Sequence, residues 1–138
     1  MIAYVDSSVL LRVILGEATR LKEWDEIETS VASAVVEIEC LRTLDRFRLL
    51  RRLSDDEIVD WRDVLYRLMA RTSIVEVDRS VVARASQPFT TILRTLDAIH
   101  LASALVWREQ SEADLTMATH DAALALAARS YGFPVVGI

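Results

Sequence analysis

Cysteine and lysine each occur once in this sequence, proline twice and glycine three times, and each scarcity removes a class of protein. The lone Cys40 cannot build a disulfide framework and brings no second thiol to a metal-thiolate site, so the expected setting is a reducing cytoplasm. So little glycine and proline beside a 52% hydrophobic fraction excludes collagen-like and low-complexity chains and predicts a regular fold. No stretch approaches about 18 uncharged apolar residues and no basic leader precedes an apolar run, so neither a membrane span nor an export signal is expected. A net charge of -5 argues against a protein that coats nucleic acid non-specifically, because that requires a strongly basic surface.

The basic residues that remain are almost all arginine, and five of them (Arg42, Arg46, Arg48, Arg51 and Arg52) crowd one segment. Arginine suits bidentate phosphate contacts. The same segment also reads as an exposed, solvated helix end, and composition alone leaves both readings open. At 138 residues the chain is expected to form one domain, 1–138, large enough for its own core.

Short apolar runs at 2–5, 29–32, 73–77, 115–118 and 134–136 alternate with segments of helical spacing. The helices are expected at 9–15, 17–27, 33–52, 55–71, from 79 to about 86, 95–110 and 122–131. Ser7 or Ser8 stands where a cap of the first helix belongs, Ser54 and Glu57 form a capping box, and Asp78 or Ser80 caps the short helix. Alternating strands and helices without a hairpin signal predict an α/β fold with a short, mostly parallel central sheet of four to five strands covered on both faces.

Four carboxylates stand out against this frame. Asp6 and Asp121 each follow a short apolar strand directly, where open α/β sheets place their ligand sites. Asp97 heads a segment, 98–106, so apolar that as a helix it is buried on most sides, and a buried carboxylate needs a partner. Glu39 shares its helix side with Val35, Val36, Phe47 and Leu50, whereas Glu37 points away, and Arg42 at i+3 is close enough for an ion pair. Read individually, each acid is explained by a bland role: Asp97 as a helix cap or first-turn acid, Asp121 as a helix cap, Glu39 as a half-exposed acid paired with Arg42. Read together, four hard oxygen ligands suit Mg²⁺ or Mn²⁺, ions that activate water and accept phosphate oxygens, which implies phosphodiester hydrolysis.

Asp6-Ser7-Ser8 after the first strand, Glu39-Cys-Leu-Arg42 in a long helix, Leu96-Asp97-Ala-Ile-His-Leu-Ala-Ser-Ala, and Thr119-His-Asp121 before an Ala-rich helix and Gly132 resemble, in that order, the PIN-domain proteins. More closely they are similar to the small VapC-type toxins of prokaryotic toxin–antitoxin pairs. The resemblance covers essentially the whole chain, and the block from Leu96 to Ala104 is its most specific part. It implies a three-layer α/β/α sandwich and a Mg²⁺- or Mn²⁺-dependent endoribonuclease acting on structured RNA such as tRNA or rRNA. By position, Asp6, Glu39, Asp97 and Asp121 would be the catalytic, metal-binding acids. Ser7 and Thr119 would be supporting hydroxyls, and Arg42 a neighbour orienting Glu39. The resemblance further implies a cognate VapB-like antitoxin, a homodimer and no membrane partner.

Other readings make distinct demands. A catalytically silent PIN fold that binds RNA or antitoxin keeps the resemblance, but all four acids are intact. A receiver-like domain wants a late lysine, and none follows Lys22; a haloacid-dehalogenase phosphatase wants a second Asp where Ser8 stands. Trp24, Trp61 and Trp107 would anchor a purely structural interaction protein, although aromatics at helical spacing more often belong to a core. His100, one turn from Asp97, reads as a hydrogen-bonded core histidine, and His120 has no assigned role.

Overall fold

The alternation of side chains along a strand sets the architecture, because the first strand is buried on both faces. The computed structural model describes residues 1–51 and 53–138. In β1 (Ile2–Val5), Ala3 and Val5 face one apolar cluster while Tyr4 faces another. Strand β2 (Thr29–Ser33) pairs with β1 on one side, and β4 (Thr116–Ala118) pairs with it on the other. Strand β3 (Thr72–Val75) extends the sheet beyond β2 and β5 (Val135–Val136) beyond β4, giving the order β3-β2-β1-β4-β5 with every pairing parallel. Tyr4 registers with Val31 and Met117, so these three side chains form a row on one face of the sheet.

Helices cover both faces. Helices α1 (Ser7–Ile14), α2 (Val35–Arg51) and α3 (Asp55–Ala70) pack against the Ala3, Val5, Ala32 and Ala118 face. Helices α5 (Thr95–Ser111) and α6 (Ala122–Ser130) cover the Tyr4, Val31 and Met117 face, and α4 (Arg79–Ala85) packs on α5 through Val81, Ala102 and Val106. This is an α/β/α sandwich with a five-stranded, all-parallel sheet. Because β1 feeds β2 and β3 on one side while β4 and β5 lie on the other, the order reverses between β1 and β4. The carboxyl ends of these two strands therefore flank the crevice where open α/β sheets bind ligands.

Several local expectations change on folding. The helix expected over 17–27 is only a 3-10 helix, Lys22–Glu26. Its apolar residues Leu21, Trp24 and Ile27 recur every three positions, the period of a 3-10 turn. The cap of α1 is Asp6 itself, in extended conformation, whose Oδ1 accepts the Val9 N–H at 3.1 Å, and neither Ser7 nor Ser8 takes that role. Leu50 is 74% exposed although it was expected to face inward beside Glu39; α2 buries Val36, Cys40 and Leu44 instead, a stripe at intervals of four that has left the sheet by the last turn. The expected end of this helix at Arg52 lies outside the described residues. The capping box at the head of α3 forms, with the Glu57 N–H donating to the Ser54 hydroxyl at 3.2 Å and that hydroxyl donating to Glu57 Oε1 at 3.1 Å. The three tryptophans are half-buried and pack on the two main clusters, a core role.

Candidate active site

Two of the four acids are placed by the strand-to-helix turns at the crevice. Asp6 ends β1 and caps α1; Asp121 follows β4 and caps α6, with its Oδ1 accepting the Leu124 N–H at 2.8 Å. The turns are bound to one another. The buried Thr119 hydroxyl donates to Asp6 Oδ2 at 2.5 Å and accepts the Asp121 N–H at 2.9 Å. Ser8 donates to Asp6 Oδ1 at 2.6 Å and accepts the His120 N–H at 2.9 Å. Asp6 is 4% exposed and thus accepts three hydrogen bonds, two on Oδ1 and one on Oδ2, the full pairing that a buried carboxylate requires.

Glu39 and Asp97 come from the two sides of the sheet, on α2 and on the first turn of α5. Glu39, Asp97 and Asp121 line one cleft of about 790 Å³, together with Ile92, Arg94, Thr95, Leu96 and Ala123. Asp97 makes no side-chain hydrogen bond among the described residues, and the cap position of α5 belongs to Arg94, which makes no side-chain cap bond. The capping account of Asp97 therefore fails. Burial, followed by the charge of Asp121 and lesser contributions from Asp6 and Glu39, raises its carboxyl above the usual value of 3.8. A carboxylate field of this kind is what a cation relieves.

Glu39 is held by Ser7, one of the expected supporting hydroxyls, and by His100, which was expected only as a core histidine. Ser7 donates to its Oε2 at 3.1 Å, and the ring of His100 lies against its Oε1, with Nε2 at 2.6 Å. No ion pair joins it to Arg42, which is exposed. The i+3 spacing allowed that pair, but the Glu39 carboxylate turns toward α1 and α5 while Arg42 stays in solvent. His100 is 2% exposed, and its Nδ1 lies 2.7 Å from the Tyr4 hydroxyl. Cys40, buried beside Glu39, has its thiol pushed up to about 12 by burial and by the charges of Glu39 and Asp6, which leaves it unreactive. His120 Nδ1 donates to the Gly137 carbonyl, 2.6 Å away, and its buried Nε2 has no partner among the described residues; the residue lines a different pocket, with Arg12, Arg20 and Lys22.

The donor set fits a hard divalent ion in a particular way. Among the described residues no group of three or more His, Cys, Asp or Glu side chains is arranged to hold a metal ion. Mg²⁺, however, is usually held by one or two carboxylates, several waters and substrate phosphate oxygens, rather than by a protein cage. An unpartnered Asp97 facing Asp121 and Glu39 across an open cleft meets that requirement. The chemistry matches the acid-lined sites of nucleases.

Residues 3–129 match the sequence profile described as the PIN domain. The chain belongs to the PIN domain family. No curated protein matches this PIN domain in sequence. Among solved structures, its fold is similar to that of a toxin–antitoxin complex from Klebsiella pneumoniae (18% identity, TM-score 0.64, covering 97% of this chain and 95% of the other). It is also similar to VapBC2 from Rickettsia felis bound to a promoter DNA fragment (12%, 0.65, 98% and 97%), and to FitAcB from Neisseria gonorrhoeae (19%, 0.65, 99% and 96%). At such identities the likeness establishes the fold of this PIN domain and nothing finer. PIN-domain nucleases generally need a divalent metal, and no helix among the described residues is long and apolar enough to cross a membrane.

Proposed function

We propose that this PIN domain is a Mg²⁺- or Mn²⁺-dependent endoribonuclease, the toxin of a VapC-type toxin–antitoxin pair, that hydrolyses phosphodiester bonds in structured RNA such as tRNA or rRNA. The observation that carries this reading is the meeting of Glu39, Asp97 and Asp121 in one cleft, with Asp6 tied to Asp121 through Thr119. In this assignment Glu39 and Asp97 hold the ion directly, waters and substrate phosphate oxygens complete its shell, and Asp6 and Asp121 contribute through water or by their charge. A divalent ion bound there lowers the pKa of a coordinated water and offsets charge on the leaving oxygen. Ser7 and Thr119 orient Glu39 and Asp6. Arg94, exposed at the rim of the cleft, is the one cation among the cleft's lining residues and offers a forked donor to an incoming phosphate. Arg42, directed away from Glu39, keeps no orienting role; with the other arginines of α2 it is available to RNA.

The toxin assignment is supported by the similarity to toxin–antitoxin complexes from Klebsiella pneumoniae, Rickettsia felis and Neisseria gonorrhoeae. It brings with it a VapB-like antitoxin, a homodimer and a cytoplasmic site of action. A catalytically silent PIN fold that binds RNA or antitoxin is favoured by one observation, the lack of a preformed three-donor metal group among the described residues. Incubation of the purified protein with total tRNA and rRNA, with Mg²⁺, with Mn²⁺ or with chelator, separates the two. Discrete metal-dependent cuts that disappear in Asp97→Asn support the nuclease. RNA retention without cleavage under every metal condition establishes the silent reading.

A further inference from the structure

We infer that His100 is a positioning residue for Glu39: held by Tyr4 as the tautomer protonated on Nε2, it donates to Glu39 Oε1 and presents that carboxylate to the cleft in one orientation. The inference rests on the proposed role of Glu39 as a metal ligand and adds to it residues that contact neither metal nor RNA.

The direction of each hydrogen bond follows from the groups that cannot reverse. The Ser33 backbone N–H donates to the Tyr4 hydroxyl oxygen at 3.1 Å, so the phenol is already an acceptor. Its own proton then needs a destination, because the fully buried phenol keeps that proton: burial raises its pKa well above 10.0. Among the described residues the phenol's other partner within hydrogen-bond distance is His100 Nδ1, 2.7 Å away, which makes that nitrogen the receiving atom. A nitrogen that accepts carries a lone pair, and in a neutral imidazole the other nitrogen then bears the hydrogen. That nitrogen, Nε2, is 2.6 Å from Glu39 Oε1. Ser7 donates to the other oxygen.

The chain runs from the backbone of β2 through β1 and α5 to α2, and it closes on a carboxylate that also receives a donor from α1. Two donors from different helices hold the plane of the Glu39 carboxylate while leaving each oxygen a further lone pair. A glutamate free on a helix surface would have to lose its rotamer freedom when an ion binds. Here the ordering is built into folding, as for the hydrogen-bonded partners that orient metal ligands elsewhere. The buried edge-to-face contact of Tyr4 and His100, with ring centroids 5.9 Å apart, keeps the imidazole from turning.

Two measurements test this, with Mn²⁺ alone as the probe. Long-range proton–nitrogen correlation spectra of metal-free wild type, labelled with ¹⁵N-histidine and recorded near neutral pH, should show His100 with a bare Nδ1 and a protonated Nε2. The opposite tautomer, or an imidazolium, overturns the inference. Mn²⁺ affinity is then compared among wild type, His100→Gln, whose amide nitrogen reaches the place of Nε2, and His100→Asn, whose amide reaches only that of Nδ1. His100→Asn should bind about 10–100-fold more weakly and His100→Gln within about threefold of wild type, the range seen when a ligand's hydrogen-bond partner is removed or kept. Equal affinity in all three overturns the inference, and so does equal weakening of both variants. Should His100→Asn fail to fold, Tyr4→Phe serves in its place: it removes only the phenol oxygen, should mix the two His100 tautomers and should weaken Mn²⁺ binding severalfold, and no change in either sinks the idea. If wild type itself binds no Mn²⁺, the metal reading of the site fails, a result distinct from any difference among the variants.

Discussion

The Thr119 hydroxyl donates to Asp6 Oδ2 at 2.5 Å across 113 residues of sequence, and the same oxygen accepts the Asp121 N–H. One fully buried side chain thereby joins the turns after β1 and β4. Thr119→Val keeps the shape and deletes the oxygen, leaving a backbone N–H and a carboxylate oxygen short of a partner. We expect a loss of about 1–3 kcal/mol in urea unfolding of the metal-free protein, the cost of unsatisfied buried polar groups, with Thr119→Ser close to wild type. Equal stability of Thr119→Val and wild type would show that the hydroxyl is dispensable to the fold.

Gly137 approaches the same residue from the other side. Its φ is +101°, and a Cβ built there would stand 2.6 Å from the Thr119 carbonyl oxygen. Gly137→Ala combines an unfavourable backbone conformation with a clash against backbone that cannot move freely, and should cost roughly 1–3 kcal/mol or more. Gly16, also at positive φ but with open space around it, gives the control: its alanine variant carries the backbone cost without the clash, so the gap between the two variants in thermal unfolding measures the contact.

For Asp97 the carboxyl value is raised in the folded state, so the folded protein holds its proton more tightly than the unfolded chain. Stability of the metal-free protein from this group is therefore greatest at low pH and declines as pH rises past the ordinary value of 3.8 and through the raised one. Asp97→Asn should flatten that part of the stability–pH curve and leave the metal-free protein at least as stable as wild type at neutral pH. Mg²⁺ or Mn²⁺ should raise the Tm of wild type and leave that of Asp97→Asn unchanged. A destabilised metal-free variant would show instead that Asp97 has a structural role.

Arg94 is exposed and caps α5 without a side-chain bond, so Arg94→Ala should change stability by no more than about 0.5 kcal/mol. As a phosphate contact it should raise KM for RNA severalfold while changing kcat less, and Arg94→Lys should recover part of the loss, because lysine keeps the charge without the fork. Unchanged KM in Arg94→Ala would remove it from the substrate path.

How much of the site was legible depended on whether the information was local. Asp6 and Asp121 stood out because each directly follows an apolar run, and the structure puts both at the crevice between β1 and β4. The choice of Glu39 over Glu37 came from helical geometry, and Glu39 is the one that lines the cleft. The i+3 spacing points to Arg42 because it counts neighbours on one helix only, whereas Glu39 bonds to Ser7 and His100, 32 and 61 residues away. His100 reads as a core histidine with hydrogen bonds, which it is; that one of those bonds ends on a site carboxylate is invisible until α2 and α5 are packed together.

The alternation of short buried strands and helices, the parallel sheet that this alternation requires, and the acids standing at strand ends are all written in local sequence. Those features follow from side-chain periodicity and the backbone chemistry of neighbouring residues, which act over a few positions. The strand order, the convergence of Glu39 and Asp97 from opposite faces of the sheet, and the hydrogen-bond chain through Ser33, Tyr4 and His100 are set by long-range packing. Its links join four separate elements, and hydrogen bonds depend on distances that exist only once all four are packed.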